Sequence, residues 1–296
     1  MMSKMLTFLA FGVVAACGKV GATPGSDSGL PTDGAPAACD VTKPFGTAVE
    51  VPGLHDPTAN DTHATLTDDE LTVYFASDRA NVTAGTLHIY SATRATRTAA
   101  FGAPGQVGST FSDNGDSNPS ISPDGNTIVF DSLRPPTSGL VHLFMATRTS
   151  AAVVFPQATL IPGDSILAPS LSPDGNVIYA ASLGSGGLVR FDKAGVGFGA
   201  AQMVALPFGN SVTSPVTRDD LTLFLALGEG TGTEILVSKR ASTSSPWSMP
   251  TTVTELKTAA VEAEPSWLSA DGCRLYLRYK ASANGRSTIF VATRPN

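Results

Sequence analysis

The feature of this sequence that most restricts its fold is a motif that occurs five times. Each copy has an apolar strand, a turn with an aspartate, and a second short apolar strand. The turn acids are Asp69, Asp124, Asp174, Asp219 and Asp271. Successive acids lie 55, 50, 45 and 52 residues apart, a spacing typical of a repeat protein. The chain of 296 residues is therefore predicted to form one repeat domain.

A second motif also occurs five times, and its order relative to the first is informative. It has an aromatic residue, then Ala or Pro three positions on, and Val or Ile six positions on. The aromatic residues are Phe45, Phe101, Phe155, Phe198 and Trp247. The chain begins with this motif and ends with the other one, so a unit is left incomplete at each end. These two parts form one unit if the ends meet, which indicates a closed ring.

Each repeat contains signals for four short antiparallel strands. Asp-Gly and Asp-Asp turns between apolar segments favour hairpins, and 29 Gly and 21 Pro suit many short strands. Four-stranded sheets repeated around an axis form a β-propeller. We predict an all-β fold, a five-bladed β-propeller of four-stranded antiparallel blades. In this propeller, the N-terminal strand at 44–51 pairs with the strand at 289–294 and completes the last blade. Six blades are the alternative, but they would need a further repeat that no segment of the sequence supplies.

The N-terminus has the pattern of an exported protein. Residues 1–16 contain one Lys, an apolar stretch and two small residues before Cys17, which predicts a signal peptide. Residues 17–38 are rich in Gly, Ser, Pro, Ala and Asp, so we expect a disordered tether there. The propeller is then expected to span residues 39–296.

The segment Val14–Cys17 resembles the lipobox of bacterial lipoproteins, which implies that Cys17 carries a lipid. An ordinary secretory leader cut nearby is the alternative. By the same resemblance, Gly18 after the lipidated residue implies anchoring in the outer membrane, facing the periplasm or the outside. In an oxidising compartment the two other cysteines, Cys39 and Cys273, are a candidate disulfide joining the ends of the ring; alternatively, Cys273 is only a buried apolar position.

Several segments resemble the PD40 repeat, a WD40-like unit found in the propeller of TolB and in many bacterial lipoproteins. These are SPDGNTIVF at 122–130, SPDG at 172–175, FASDR at 75–79 and the ATR triplets that end third strands. The resemblance covers about residues 44–296 and implies a propeller of the TolB type. The additional N-terminal domain of TolB has no counterpart here, so a role in the Tol system is not implied.

The sequence contains few signals for catalysis or cofactor binding. No G-x-S-x-G motif follows a strand, and only four His are present. The net charge is -6 and the basic residues are scattered, which excludes a nucleic-acid-binding surface. We therefore expect no enzymatic activity, no cofactor and no metal site. The expected protein is a monomer that contacts the membrane through its lipid anchor.

Acidic residues near the starts of the first strands are the candidates for ligand binding. Asp61, Asp116, Glu262 and Glu264 lie there, and His63 is placed to approach the axis. If the first strands line the channel, these residues share one rim, which could bind a cation, a sugar or a basic segment of a partner. Alternatively, they cap turns and keep the rim hydrated.

The leading functional hypothesis is a non-enzymatic binding or scaffold module, anchored in the outer membrane, for an unknown protein or glycan partner. A glycoside hydrolase or lyase is an alternative, with the four acids of the rim as the source of its two carboxylates. A purely structural envelope protein is the third hypothesis.

Overall fold

The computed structural model describes residues 39–296, apart from 80–85, 109–114, 136–138, 209–211, 228–233, 258–261 and 283. The predicted signal peptide, Cys17 and the tether at 17–38 lie outside the described residues. In the described part of the chain, the helical structure is one 3-10 turn at Thr254–Leu256. No helix in that part is long and apolar enough to cross a membrane.

The structure confirms the predicted five-bladed β-propeller of four-stranded antiparallel blades. We number the blades in chain order and their strands from the axis outward. Blade 1 has Asp61–Leu66, Thr72–Ser77, His88–Thr93 and Gly105–Gln106; blade 2 has Asp116–Ile121, Thr127–Ser132, His142–Thr147 and Thr159–Leu160. Blade 3 has Ile166–Leu171, Val177–Ser182, Leu188–Ala194 and Gln202–Met203, with an added short strand Gly197–Phe198. Blade 4 has Val212–Val216, Thr222–Leu227, Ile235–Lys239 and Thr251–Thr252; blade 5 has Glu262–Leu268, Arg274–Lys280, Ser287–Thr293 and Val49–Glu50.

Blade 5 is built from both ends of the chain, which confirms the predicted closure. Val49 lies opposite Val291 in an antiparallel pair, and Val51 N donates a hydrogen bond to Ile289 O at 3.0 Å. A disulfide joins Cys39 to Cys273, whose Cα atoms are 5.7 Å apart. The start of the described chain is thus covalently tied to the turn of the last blade.

The core lies between the blades, because each sheet is covered on both faces by its neighbours. The first strands of successive blades contact one another around the ring, including those of blades 5 and 1. In the cluster between blades 1 and 2, Tyr74 packs edge to face against Phe155, with ring centroids 6.3 Å apart. Burial of such aromatic side chains contributes strongly to stability.

An arginine at the end of the third strand fastens a blade to the preceding one. In blade 2, the guanidinium of Arg148 lies 4.2 Å from the centre of the Phe155 ring, and Arg148 Nε donates to Gly125 O at 3.0 Å. Arg148 Nη2 donates to the hydroxyl of Tyr74 in blade 1 at 2.8 Å. We call this arrangement the arginine clasp. The same contacts are made by Arg94 with Phe101, Glu70 and Tyr276, and by Arg240 with Trp247, Asp220 and Tyr179.

The clasp explains why the aromatic motif and the ATR triplet recur together. The ring and the arginine of one blade form one contact, and the tyrosine of the neighbouring blade completes it. A guanidinium over an aromatic face is attracted by the π electrons, and a hydrogen bond from a charged donor is stronger than one between neutral groups.

Candidate functional site

A β-bulge interrupts the first strand of every blade. In blades 1 to 4 the first residue of the bulge has a left-handed backbone: the φ angles are 50° at His63, 48° at Asn118, 51° at Ala168 and 47° at Ser214. This backbone is uncommon for residues other than glycine and costs about 1–3 kcal/mol for each residue. Bulges re-aim side chains, and such strain is concentrated at functional sites.

Polar side chains from three blades meet at the axis. His63 Nε2 of blade 1 lies 3.1 Å from Glu264 Oε2 of blade 5 and 3.3 Å from Ser214 Oγ of blade 4. Ser214 Oγ donates to the same carboxylate oxygen at 2.8 Å. Blades 1 and 4 are not neighbours in the ring, so this network crosses the channel. On the other side of the imidazole, Thr62 Oγ1 lies 2.6 Å from Nδ1 and fixes the ring orientation.

Two cations extend the network along blade 5. Arg278 Nη2 donates to Glu264 Oε1 at 3.1 Å and also to Glu262, while Lys280 Nζ donates to Glu262 Oε1 at 3.2 Å. The side chains of His63 and Glu264 are 13% exposed and that of Lys280 is 23% exposed, so solvent reaches the group. We call these residues the channel cluster: His63, Ser214, Glu262, Glu264, Arg278 and Lys280.

The environment of Glu264 favours its ionised form. Burial raises the pKa of this carboxyl, but the hydrogen bond from His63, the charge of Arg278 and the hydroxyl of Ser214 together lower the pKa to about 2. Charged and hydrogen-bonding partners stabilise a carboxylate more than burial destabilises it here. Glu264 therefore carries a fixed negative charge at neutral pH.

A second carboxyl group lies in the wall formed by blades 2 and 3. Asp131 is 2% exposed and accepts hydrogen bonds from Asn118 Nδ2 at 2.6 Å, from Ala168 N at 2.8 Å and from Ser117 Oγ. Burial raises the pKa of Asp131, although these donors oppose the rise. The propeller thus contains two acids whose pKa values are displaced in opposite directions, a relationship typical of functional sites.

The structure does not place Asp61 and Asp116 at the channel rim, which corrects that expectation. Both side chains are fully buried inside their own blades. Arg79 Nη2 lies 2.5 Å from Asp61 Oδ1, and Arg134 Nη2 lies 2.7 Å from Asp116 Oδ2. Each acid gives a largely buried guanidinium its counter-charge, and removal of one partner from a buried ion pair is destabilising, so its role is in stability. Glu262, Glu264 and His63 are the predicted rim residues that the structure brings together.

Four residues of the site were not predicted from the sequence: Ser214, Arg278 and Lys280 of the channel cluster, and the buried Asp131. Asp131 and Arg278 occupy one equivalent position of the second strand, where blades 1, 3 and 4 have Ala76, Ala181 and Ala226. A comparison of the five repeats at this position would have found both, because a buried alanine has been replaced by a charged residue. Among the described residues, no group of three or more His, Cys, Asp and Glu side chains is arranged to hold a metal ion.

Similarity to known proteins is found in structure and not in sequence. No family model matches the chain, and no curated protein matches its sequence. A GH43_1 enzyme from Xanthomonas citri matches with a TM-score of 0.58 and 14% identity, over 83% of this chain and 90% of that one. The catalytic domain of a GH62 alpha-L-arabinofuranosidase from Coprinopsis cinerea matches with a TM-score of 0.53 and 9% identity, over 85% and 96%. At these identities the likeness shows the fold alone.

TolB from Acinetobacter baumannii is also among the similar structures, with a TM-score of 0.48 and 14% identity. The match covers 80% of this chain and 55% of TolB, so this chain spans about half the length of that protein. A match at this TM-score does not establish the TolB-type family. The PD40 assignment and the lipid anchor stay predictions from the sequence.

The expectation of a protein without enzymatic activity is wrong. Matched propellers with TM-scores above 0.5 include three enzymes by name: a GH43_1 enzyme, an alpha-L-arabinofuranosidase and an arabinanase from Bacillus subtilis. The fold therefore gives no reason to exclude catalysis, and the missing G-x-S-x-G motif excludes only one kind of nucleophile.

Proposed function

We propose that the channel cluster binds a saccharide and that this protein is a glycan-directed propeller. The observation that carries the proposal is the network of His63, Ser214 and Glu264, which crosses the axis and includes Arg278. A few convergent polar groups with a perturbed carboxyl are typical of a small-molecule site. The strained backbone at His63 and Ser214 supports the same interpretation.

The chemistry of the cluster suits sugar hydroxyls. Carboxylates such as Glu264 accept hydrogen bonds, and the side chains of Arg278 and Lys280 donate them, whereas a hydroxyl does both. The cluster has two carboxylates and two permanent cations, so its charges nearly cancel. This balance favours a neutral sugar over a strongly charged ligand. The matched alpha-L-arabinofuranosidase supports a saccharide by analogy of fold only.

A binding assay with Glu264→Gln tests the proposal. We expect the mature protein to bind one class of polysaccharide in a panel of envelope and plant polysaccharides. Glu264→Gln should weaken that binding at least about tenfold, because a hydrogen bond to a charged group is worth about 1.5–3 kcal/mol. Glu50→Gln is the matched control, since Glu50 is exposed on the outer strand of blade 5. Binding that is equal in all three proteins, or absent from the wild type, would reject the site.

Glycoside hydrolysis is the second candidate function, favoured by two carboxyl groups in the surroundings of one imidazole. His63 contacts Glu264 at 3.1 Å and its charge lowers the pKa of Asp131, while burial raises that pKa and the pKa of Glu264 is lowered. Glycosidases use one protonated and one ionised carboxyl group. Release of reducing ends from the bound polysaccharide measures this directly. We expect Asp131→Asn and Glu264→Gln each to abolish turnover if hydrolysis occurs. Retained binding with no turnover in the wild type would contradict hydrolysis of that polysaccharide.

We also propose that the propeller is held at the outer membrane by lipid on Cys17, with residues 17–38 as its tether and with no partner subunit. A flexible coil of this length spans about 25 Å on average, enough to hold the domain close to the bilayer. Mass spectrometry of the purified protein should find the lipid on Cys17, and Cys17→Ala should release the protein from the membrane fraction. An unmodified cysteine in the membrane fraction would contradict the anchor.

A further inference from the structure

The interface between blades 2 and 3 lacks the arginine clasp. Lys193 stands at the arginine position of blade 3, since Lys193 N donates to Asn176 O at 2.8 Å, as Arg148 N does to Asn126 O at 2.8 Å. The tyrosine of the preceding blade is also absent. Val129 of blade 2 occupies the place that Tyr74 has in blade 1.

The aromatic member of the clasp is retained. Phe198 begins the last part of blade 3, and Gly199 N donates to Asp192 O at 2.9 Å, as Gly102 N donates to Thr93 O in blade 1. Phe198 follows Lys193 by five positions, whereas Phe155 follows Arg148 by seven. Lys193 is exposed, and among the described residues no guanidinium stacks on the Phe198 ring.

A groove of about 700 Å³ lies at this interface. Its lining includes Pro123, Asp124, Pro173, Asp174, Gly175 and Phe198. A methyl group built on Gly125 would lie 3.6 Å from Arg148 Nη2, whereas one built on Gly175 would meet no atom within 4 Å. The space that the guanidinium fills between blades 1 and 2 is therefore open between blades 2 and 3.

A comparable groove of about 720 Å³ between blades 4 and 5 does not have this property. Its tyrosine position is occupied by Phe224, but its arginine is present. The guanidinium of Arg294 lies 3.9 Å from the centre of the Phe45 ring, and Arg294 Nε donates to Gly272 O at 3.1 Å. Of these two grooves, only the one between blades 2 and 3 keeps the aromatic ring and lacks the arginine.

We propose that the groove between blades 2 and 3 is a docking site for an arginine side chain on an extended segment of a protein partner. The groove is lined by the ring of Phe198, which is 7% exposed, and by the turn residue Gly175, whose counterparts contact the guanidinium in the arginine clasps. Asp124 and Asp174 add negative charge to its walls. This site is separate from the channel cluster and does not depend on the saccharide proposal.

A peptide with the sequence Ala-Thr-Arg-Thr-Ser, which this chain itself has at Ala146–Ser150, is the probe. We expect it to shift the amide resonances of Gly175 and Phe198 in the mature protein. A peptide with Lys in place of Arg is the control, and we expect it to bind about tenfold more weakly, because Lys lacks the planar guanidinium that stacks and donates together.

Two variants decide the outcome. Lys193→Arg supplies a guanidinium from the chain itself at the clasp position, so it is expected to raise Tm and to weaken peptide binding. Phe198→Leu, which keeps an apolar side chain, is expected to reduce binding at least about fivefold. The proposal would be overturned by equal binding of the two peptides, by resonance shifts confined to another region, or by unchanged binding to Phe198→Leu. Phe198→Leu decides the question even if the other variant does not fold.

Discussion

Glu264 Oε2 of blade 5 lies 3.1 Å from His63 Nε2 of blade 1, and the same oxygen accepts a hydrogen bond from Ser214 of blade 4. One carboxylate thus connects three of the five blades. Its charge affects both saccharide binding and the stability of the fold, because the carboxylate that would contact a ligand also holds the inner ends of the blades together.

We expect the stability of the protein to depend on pH through Glu264. The folded-state pKa of about 2 is below the ordinary value of 4.5, so the ionised carboxylate stabilises the fold. This contribution, on the order of 3 kcal/mol, is complete above pH 4.5 and is lost as the pH falls through 2. Urea unfolding at pH 7, 4 and 2.5 should show that Glu264→Gln is less stable than the wild type at pH 7 and that the difference shrinks to about 1 kcal/mol at pH 2.5.

Glu50→Gln serves as the control for this pH series, because Glu50 is exposed on the outermost strand. Its stability should follow that of the wild type throughout. A difference between Glu264→Gln and the wild type that stays constant over the whole pH range would contradict the assignment.

Asp61→Asn should destabilise the protein without affecting the channel. Asp61 is fully buried against Arg79, and removal of one partner from a buried ion pair costs about 3–5 kcal/mol. Asp69→Asn, the same change at an exposed turn, should cost about 1 kcal/mol or less. Urea unfolding measures both, and saccharide binding by folded Asp61→Asn should equal that of the wild type. Loss of saccharide binding by folded Asp61→Asn would show that Asp61 belongs to the binding site.

Removal of the disulfide should weaken the closure of the ring. Cys39 and Cys273 are 234 positions apart, and the chain-entropy model gives about 5 kcal/mol for so long a loop. Unfolding of Cys39→Ser with Cys273→Ser should match that of the reduced wild type, and both should fall below the oxidised protein. If reductant has no effect on the unfolding of the wild type, the bond does not stabilise the fold.

Tyr74→Phe should cost about 2 kcal/mol, because the hydroxyl accepts a hydrogen bond from the charged Arg148 across an interface between blades. The phenyl ring stays, so the loss reports on the hydroxyl alone. A double-mutant cycle with Arg148→Lys measures the coupling. The two changes together should cost less than the sum of the separate costs, and simple additivity would show that the clasp is not one unit.

The fold was predictable because its signals are local and recur. Each Asp-Gly or Asp-Asp turn specifies a hairpin by itself, and the order of the two motifs indicates which ends must pair. The role of the ATR triplet was not predictable in the same way. Arg148 contacts Tyr74, which belongs to the previous repeat 74 positions earlier, so the contact appears only when the blades are packed.

The candidate site was predicted only in part, and the bulge is the physical reason. Asp61 and His63 are two positions apart, and a regular strand would place them on one face. The left-handed backbone at His63 breaks that alternation, so His63 reaches the axis while Asp61 turns into its own blade. Asp131 and Arg278 were not predicted, because they lie on second strands and the acids considered as candidates lie near the starts of first strands.

The pairing of Val49–Glu50 with Ser287–Thr293 also determines when the molecule can finish folding. Blades 1 to 4 are made of contiguous segments, so each can form as soon as its own residues are available. Blade 5 needs strands that are separated by nearly the whole chain, and such long-range pairing is slow. When the chain folds from its N-terminal end, an arc of four blades therefore forms first, with uncovered sheet faces at both ends. A chaperone that protects this intermediate would act there, before the last strand arrives.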